Sequence, residues 1–162
     1  MSIPFSKSIL RPADTILYFS RDLIDYAIAL KTWTLCAHVE FYRGDGWSYA
    51  SRNGIGVNHY LLRTTDVAAV LRCRTPLNLE AIDKYFETVK GQKYDWLGLL
   101  CFTLAVKQGS PNKQFCSELW TNIQRAGFNE PFNPNYDADR VPPSFMLVTP
   151  THETIWSNGE LY

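Results

Sequence analysis

No stretch of the sequence gathers lysine and arginine into a block, and sixteen basic residues are cancelled by sixteen acidic ones to a formal net charge of zero. A phosphate backbone therefore finds no electrostatic landing site, and nucleic acid is not an expected partner. Cysteine is sparse. Cys36, Cys73, Cys101 and Cys116 form no CxxC pair and lack the density of a secreted disulfide scaffold. They read as reduced thiols, and no metal or cofactor is expected. The apolar run over 96–106 is too short to cross a bilayer. The opening residues Met1 to Lys7 lack the charged segment and apolar core of a signal peptide. These absences make a cytoplasmic protein without a transmembrane segment the expectation. Repeats, linkers and low-complexity tracts are also missing, which leaves a single domain over residues 1–162. Its 46% hydrophobic and 14% aromatic content suffices for a core built without metals or disulfides.

The apolar pattern sets out an α+β chain. Thr15 to Phe19 reads as a short strand introduced by Pro12-Ala13-Asp14, and Ser20 as the cap of a helix over 21–31. Residues 33–42 and 47–51 read as a hairpin closed by Gly44-Asp45-Gly46. Period-2 alternation puts Cys36, His38 and Glu40 on one face of its first strand. Leu35, Ala37, Val39 and Phe41 take the other, an apolar face expected to meet a core. Strands over 57–63 and 67–74 follow, so that about four consecutive antiparallel strands are expected. Asn78 caps a helix to about Lys90, with Ile82, Tyr85, Phe86 and Val89 inward and Gly91 as its stop. Tyr94-Asp95-Trp96 opens an apolar segment with helical character, and the Pro- and Asn-rich run 129–143 reads as a long surface connection.

The chemistry gathers at Gln114-Phe115-Cys116-Ser117-Glu118-Leu119-Trp120. From Cys116, apolar residues recur at Leu119, Trp120, Ile123 and Ala126, one buried face of a helix that Gly127 ends. The thiol thus stands at a helix start, where unpaired backbone N–H groups and the positive end of the dipole favour a thiolate. The plain alternative is a core cysteine packed as a small hydrophobe. Of the three histidines, His38 alone lies in a strong strand pattern beside other polar groups, whereas His59 and His152 have no comparable setting. An imidazole beside a thiol can take its proton and later protonate a leaving group, provided a third polar group fixes the ring. Glu40, two positions along the same strand face, is the nearest candidate; Ser51 on the following strand is its rival.

The order of these pieces resembles one family. His38-Val-Glu-Phe-Tyr, a Gly-Asp-Gly turn, a strand ending Tyr-Ala-Ser, Tyr94-Asp95, and Phe115-Cys116-Ser-Glu-Leu follow one another as in the circularly permuted papain-like cysteine amidases. These are YiiX-like relatives of NlpC-type cell-wall peptidases and of lecithin retinol acyltransferase. The likeness spans roughly Arg11 to Leu147 and includes Pro12-Ala13-Asp14-Thr15-Ile16-Leu17, similar to the family's opening Pro-Gly-Asp strand. It implies a permuted papain-like domain whose antiparallel sheet packs on the Cys116 helix, with Cys116 as nucleophile and His38 as its base. The implied activity is thiol hydrolysis of an amide in a peptide or peptidoglycan fragment. The alternatives are acyl transfer or ester cleavage on a lipid, and a degenerate fold kept as a binding module. Relatives usually carry the third residue near the end of the second hairpin strand, and here that region reads Ser48-Tyr49-Ala50-Ser51, with neither acid nor imidazole. Glu40, Ser51 and Tyr49 all stay open for that role. Tyr94 offers either an oxyanion donor or a buried structural tyrosine.

Overall fold

A computed structural model describes residues 4–19, 35–95, 112–132, 134–135 and 137–159. The helix expected over 21–31, the segment over 96–106 and Cys101 lie outside the described residues. The frame is a six-stranded sheet: β1 (Thr15–Phe19), β2 (Cys36–Gly44), β3 (Trp47–Arg52), β4 (Gly56–Leu61), β5 (Val67–Cys73) and β6 (His152–Ser157). Their spatial order is β4-β3-β2-β1-β5-β6, with every neighbouring pair antiparallel. Among the described residues there are two α-helices, α1 (Leu79–Val89) and α2 (Cys116–Ala126).

The central strand explains the layering. Thr15, Ile16, Leu17 and Tyr18 are all buried, so β1 is covered on both faces and reads as a continuous apolar run. On one side Leu17 joins Val39, Phe41 and Leu71 under Ile82 and Phe86 of α1 and Leu119, Trp120 and Ile123 of α2. On the other, Ile16 and Tyr18 join Tyr42, Leu62, Val67 and Val70, with Phe5, Leu10 and Trp156 against them. Helix α2 is tied to β1 through Trp120, whose indole Nε1–H donates to Thr15 Oγ1 at 2.8 Å. Helix α1 starts as expected, with Asn78 Oδ1 accepting from the Ala81 N–H at 2.9 Å.

Several expectations change in the tertiary structure. The hairpin and the two following strands form, but β5 does not continue the meander beside β4; it crosses to pair with the free edge of β1. Strand propensity shows where strands lie and says nothing of their partners. Strand β6, on the far edge, was not anticipated. Leu35 is 45% exposed and precedes β2, so it does not belong to the core face. Cys36 packs with Val39 and Phe41, and so leaves the face shared by His38 and Glu40. The reason is a bulge: Tyr18 pairs with His38 but Phe19 with Cys36, so Ala37 is passed over and the alternation breaks there. Ala126 is only half-buried, while Ser117, Thr121 and Gln124 are buried, so the covered face of α2 is wider than its apolar stripe. The run 129–143 is not wholly at the surface either, since Asn129 and Val141 are buried and Val141 joins the helix-side core.

The segment entering α2 is held from the β4 side. The Val57 N–H donates to the Gln92 carbonyl and the Gly91 N–H to the Val57 carbonyl, both at 2.8 Å. This close approach requires glycine at position 56, where φ is +94° and a Cβ would collide with the Gln92 carbonyl oxygen. Lys93 then forms a parallel bridge with Lys113, and the Gln114 N–H donates to the Lys93 carbonyl at 3.3 Å. Two residues later the chain reaches Cys116.

Candidate functional site

Cys116 opens α2 and is buried. Phe115 occupies the cap position without a side-chain capping bond of its own. Glu118 supplies the complementary half of a cap, since its carboxyl accepts from the Phe115 backbone N–H. The segment is further pinned by Ser51, whose hydroxyl donates to the Gln114 carbonyl at 2.5 Å. Gln114 itself donates through Nε2 to the Tyr85 hydroxyl of α1 at 3.1 Å.

His38 on β2 comes within hydrogen-bonding reach of the Cys116 sulfur. Its Nε2 lies 3.2 Å from Glu40 Oε1, which leaves Nδ1 as the nitrogen available to the thiol. The His38 side chain is 14% exposed and that of Glu40 is not exposed at all. Burial disfavours the charged imidazolium, but the charge and hydrogen bond of Cys116, followed by those of Glu40, outweigh it and lift the His38 pKa to about 9. Burial likewise opposes the Glu40 carboxylate. The hydrogen bond and charge of His38, then the Arg52 charge and the Ser48 hydroxyl, reverse that and hold its pKa down at about 2.

Glu40 is the best-supplied polar group in the described residues of this region. Its Oε1 accepts from His38 and from the Arg52 guanidinium, with Nε at 2.9 Å and Nη2 at 2.8 Å. Its Oε2 accepts from the Ser48 hydroxyl at 2.5 Å and, more weakly, from the Tyr18 hydroxyl at 3.4 Å. Arg52 lies over the Tyr60 ring, 4.2 Å from its centroid, and Arg63 over the Tyr18 ring at 4.1 Å. Ser48 and Arg52 stand four residues apart on β3, hence on one face, with the small Ala50 between them.

The structure thus brings Cys116, His38 and Glu40 together and separates the other candidates from the imidazole. Ser51 is engaged with the Gln114 carbonyl. Tyr49 stacks on Phe86, with ring centroids 3.7 Å apart, and its hydroxyl donates to Asp83 Oδ1 at 2.8 Å. Tyr94 is half-buried and directly follows the Lys93–Lys113 bridge, beside the segment that leads to Cys116. His59 is exposed and meets Trp47 edge-on. His152 is buried, its Nδ1 3.0 Å from Thr151 Oγ1, and burial pushes its pKa down to about 4. Sequence reasoning missed Arg52, Ser48 and Tyr18. The spacing of Ser48 and Arg52 was readable, but which strand face meets Glu40 depends on the β2–β3 register, and Tyr18 depends on β1 pairing with β2.

No protein-family model matches the chain, and no curated protein matches it in sequence. Among solved structures, the metalloprotein YiiX from Escherichia coli O157:H7 (DUF1105) superposes with a TM-score of 0.67 over 91% of this chain and 97% of that one, at 17% sequence identity. An identity that low speaks for architecture alone: this chain has a mixed α/β, YiiX-like fold built on a six-stranded antiparallel sheet.

Proposed function

We propose that the protein is a thiol hydrolase of circularly permuted papain-like type, acting on an amide bond in a peptide or peptidoglycan fragment. The observation that carries this reading is the row formed by the Cys116 sulfur, the His38 ring within its hydrogen-bonding reach, and the Glu40 carboxylate 3.2 Å from His38 Nε2. His38 takes the thiol proton, and the resulting thiolate attacks the carbonyl carbon to form a tetrahedral intermediate. Its oxyanion lies near the first-turn N–H groups of α2. The imidazolium then protonates the leaving amine as the C–N bond breaks, which leaves a thioester on Cys116. In the second half, His38 removes a proton from water, hydroxide adds to the thioester, and the C–S bond breaks to release the acid. Glu40 keeps the ring in one tautomer and stabilises its charge throughout.

Among the described residues the metal named for YiiX finds no matching donor set. Among the described residues no three His, Cys, Asp or Glu side chains are grouped to hold a metal ion, and the Glu40 oxygens are committed to His38, Arg52, Ser48 and Tyr18. Among the described residues no helix is long and apolar enough to cross a membrane.

The test is covalent labelling of the purified protein with electrophilic amide, ester and lipid probes, read by mass spectrometry. The amide probe should modify Cys116 ahead of Cys36, Cys73 and Cys101, with His38→Ala abolishing the labelling and His59→Ala leaving it unchanged. Preferential labelling by the lipid probe would move the reading to acyl transfer. Equal labelling of the cysteines, indifferent to His38, would leave a binding module.

A further inference from the structure

The β3 end that lacks an acid or an imidazole carries instead a cation aimed at the acid on β2. We infer that Arg52 is a positioning residue whose charge keeps Glu40 ionised through the reaction, so that the imidazolium proton goes to the leaving group and not to Glu40. This rests on the Cys116–His38–Glu40 reading and adds to it a division of labour around one carboxylate.

The geometry separates two kinds of support. Ser48 and Tyr18 are neutral donors, and both act on Oε2, so they hold the carboxyl in place whether or not it is charged. Arg52 acts on Oε1, the oxygen it shares with His38, and through two nitrogens. Its side chain is 28% exposed against 0% for Glu40, and its contact with the Tyr60 ring keeps the guanidinium over the site. A fully buried carboxylate is costly unless a cation answers it. While Cys116 is a thiolate, the His38 imidazolium is that cation. Once the ring has given its proton to the leaving amine and Cys116 is a neutral thioester, His38 no longer carries a charge. Arg52 then remains as the cation in contact with Glu40, and the acid has no reason to take up a proton. A protonated Glu40 would donate to the ring nitrogen and reverse the tautomer that the deacylation step needs.

The other groups facing this carboxylate do not duplicate that service. Arg63 lies over the Tyr18 ring and is not among the groups that lower Glu40, and the Tyr18 hydroxyl also donates to the Arg63 carbonyl at 3.1 Å. Tyr18 and Tyr60 both feel the Glu40 charge; burial, then that charge, pushes the Tyr18 phenol far up, so it stays a neutral donor. Cys116 reaches Glu40 only through His38.

The sign of one measurement decides among the roles open to Arg52. In a Cys116→Ser background the His38 ring is titrated by NMR, with circular dichroism to verify folding. Removing a nearby cation raises the proton affinity of everything around it, whereas losing a correctly placed carboxylate lowers that of the ring. Arg52→Gln, which retains donors but not charge, should therefore raise the His38 pKa by about 0.5 to 1, a three- to tenfold change in proton affinity. Arg52→Lys should return it to the parent value, and Glu40→Gln should lower it. A fall in Arg52→Gln parallel to that in Glu40→Gln would assign Arg52 to orientation and overturn the inference, as would no change at all. Should Arg52→Gln not fold, an Arg52→Lys value well away from the parent overturns it equally, because that variant keeps the charge. A ring indifferent to Glu40→Gln would instead remove the underlying reading, whatever Arg52 does.

Discussion

Two glutamates in the neighbourhood of the same thiol are driven in opposite directions. Glu40 on β2 and Glu118, two residues into α2 from Cys116, are both pushed toward the neutral form by burial. Around Glu40 that push is reversed by His38, Arg52 and Ser48, and the carboxyl is held at about 2. Around Glu118 the largest opposing contribution is the hydrogen bond from the Phe115 N–H, while the charges of Asp139 and Asp95 add to burial and carry the pKa to about 8. Its Oε2 is buried with no hydrogen-bond partner among the described residues. Burial alone therefore does not tell the role of an acid. What matters is whether the surrounding elements bring cations, as β2 and β3 do, or further carboxylates, as the segment after α1 does with Asp95 and the 3-10 helix over Ala138–Arg140 does with Asp139. One acid is kept charged beside the imidazole, and the other is kept neutral at the helix start, where a second full negative charge would stand beside a Cys116 thiolate at the same positive end of the dipole.

The comparison breaks most visibly in the reactivity of Cys116. Glu40→Gln removes the anion that stabilises the His38 imidazolium. Alkylation of Cys116 by limiting iodoacetamide near pH 6 should then fall by about ten- to a hundredfold, because the imidazolium that answers the thiolate loses its own anionic partner. Glu118→Gln mimics the form that Glu118 already holds at that pH, and its rate should stay within about twofold of wild type. Ser51→Ala serves as the control for the rival third residue and should leave the pH profile in place. If Ser51→Ala displaces the curve and Glu40→Gln overlays wild type, the contrast between the two glutamates has no bearing on the thiol.

A smaller effect appears in stability. A carboxyl raised to about 8 from its ordinary 4.5 binds its proton more tightly when folded, so its contribution is full below about 4.5 and is lost as pH rises toward about 8. Glu118→Gln should flatten that part of the stability curve, whose slope is at most about 1.4 kcal/mol per pH step of one and is reduced further by solvent screening. Urea denaturation of both proteins at several pH values between those limits measures it, and parallel curves would mean that Glu118 is not protonated in the fold. Glu40 has the opposite sign: its contribution is present above about 4.5 and is lost as pH falls toward about 2.

The smallest effect concerns His38 and His152, which repeat the contrast. His38 is raised by its anionic partners, so the stability it contributes is full below about 6.5 and is lost as pH rises toward about 9. His152 has no such partner: burial, then the Arg74 charge, lowers its pKa to about 4, and its Nε2 is buried without a partner among the described residues. Its contribution is present above about 6.5 and fades as pH falls toward about 4. His152→Phe should remove that acid sensitivity at a cost of about 1 kcal/mol near neutrality, from the lost contact with Thr151 Oγ1. Thermal melts at about pH 5 and pH 7.5 test it, and an unchanged difference between the two would refute the assignment.

Local pattern made some of this legible. The stripe of Leu119, Trp120 and Ile123 marks a helix wherever it packs, because a period of 3.6 residues leaves only one way to bury those side chains, and Cys116 at its start follows. The alternation in β2 placed His38 and Glu40 on one face for the same kind of reason, and the two do meet. That alternation failed at Cys36, where a bulge against β1 adds a residue that no local rule announces.

Features that depend on neighbours along the chain were legible in the residues: the hairpin, the Asn78 cap, the helix opened by Cys116, and the pairing of His38 with an acid two residues on. Features that depend on partners far away emerged only on folding. Strand β5 lies beside β1 instead of β4, the 129–143 run contributes Val141 to the core, Ser51 serves the Gln114 carbonyl instead of the imidazole, and Arg52 meets Glu40 across twelve residues of chain. The physical reason is one of range. Helical and strand periodicities are set by backbone sterics within a few residues, whereas the register between strands, and with it the choice of which polar groups share a buried carboxylate, is settled only when the whole sheet has closed over its two cores.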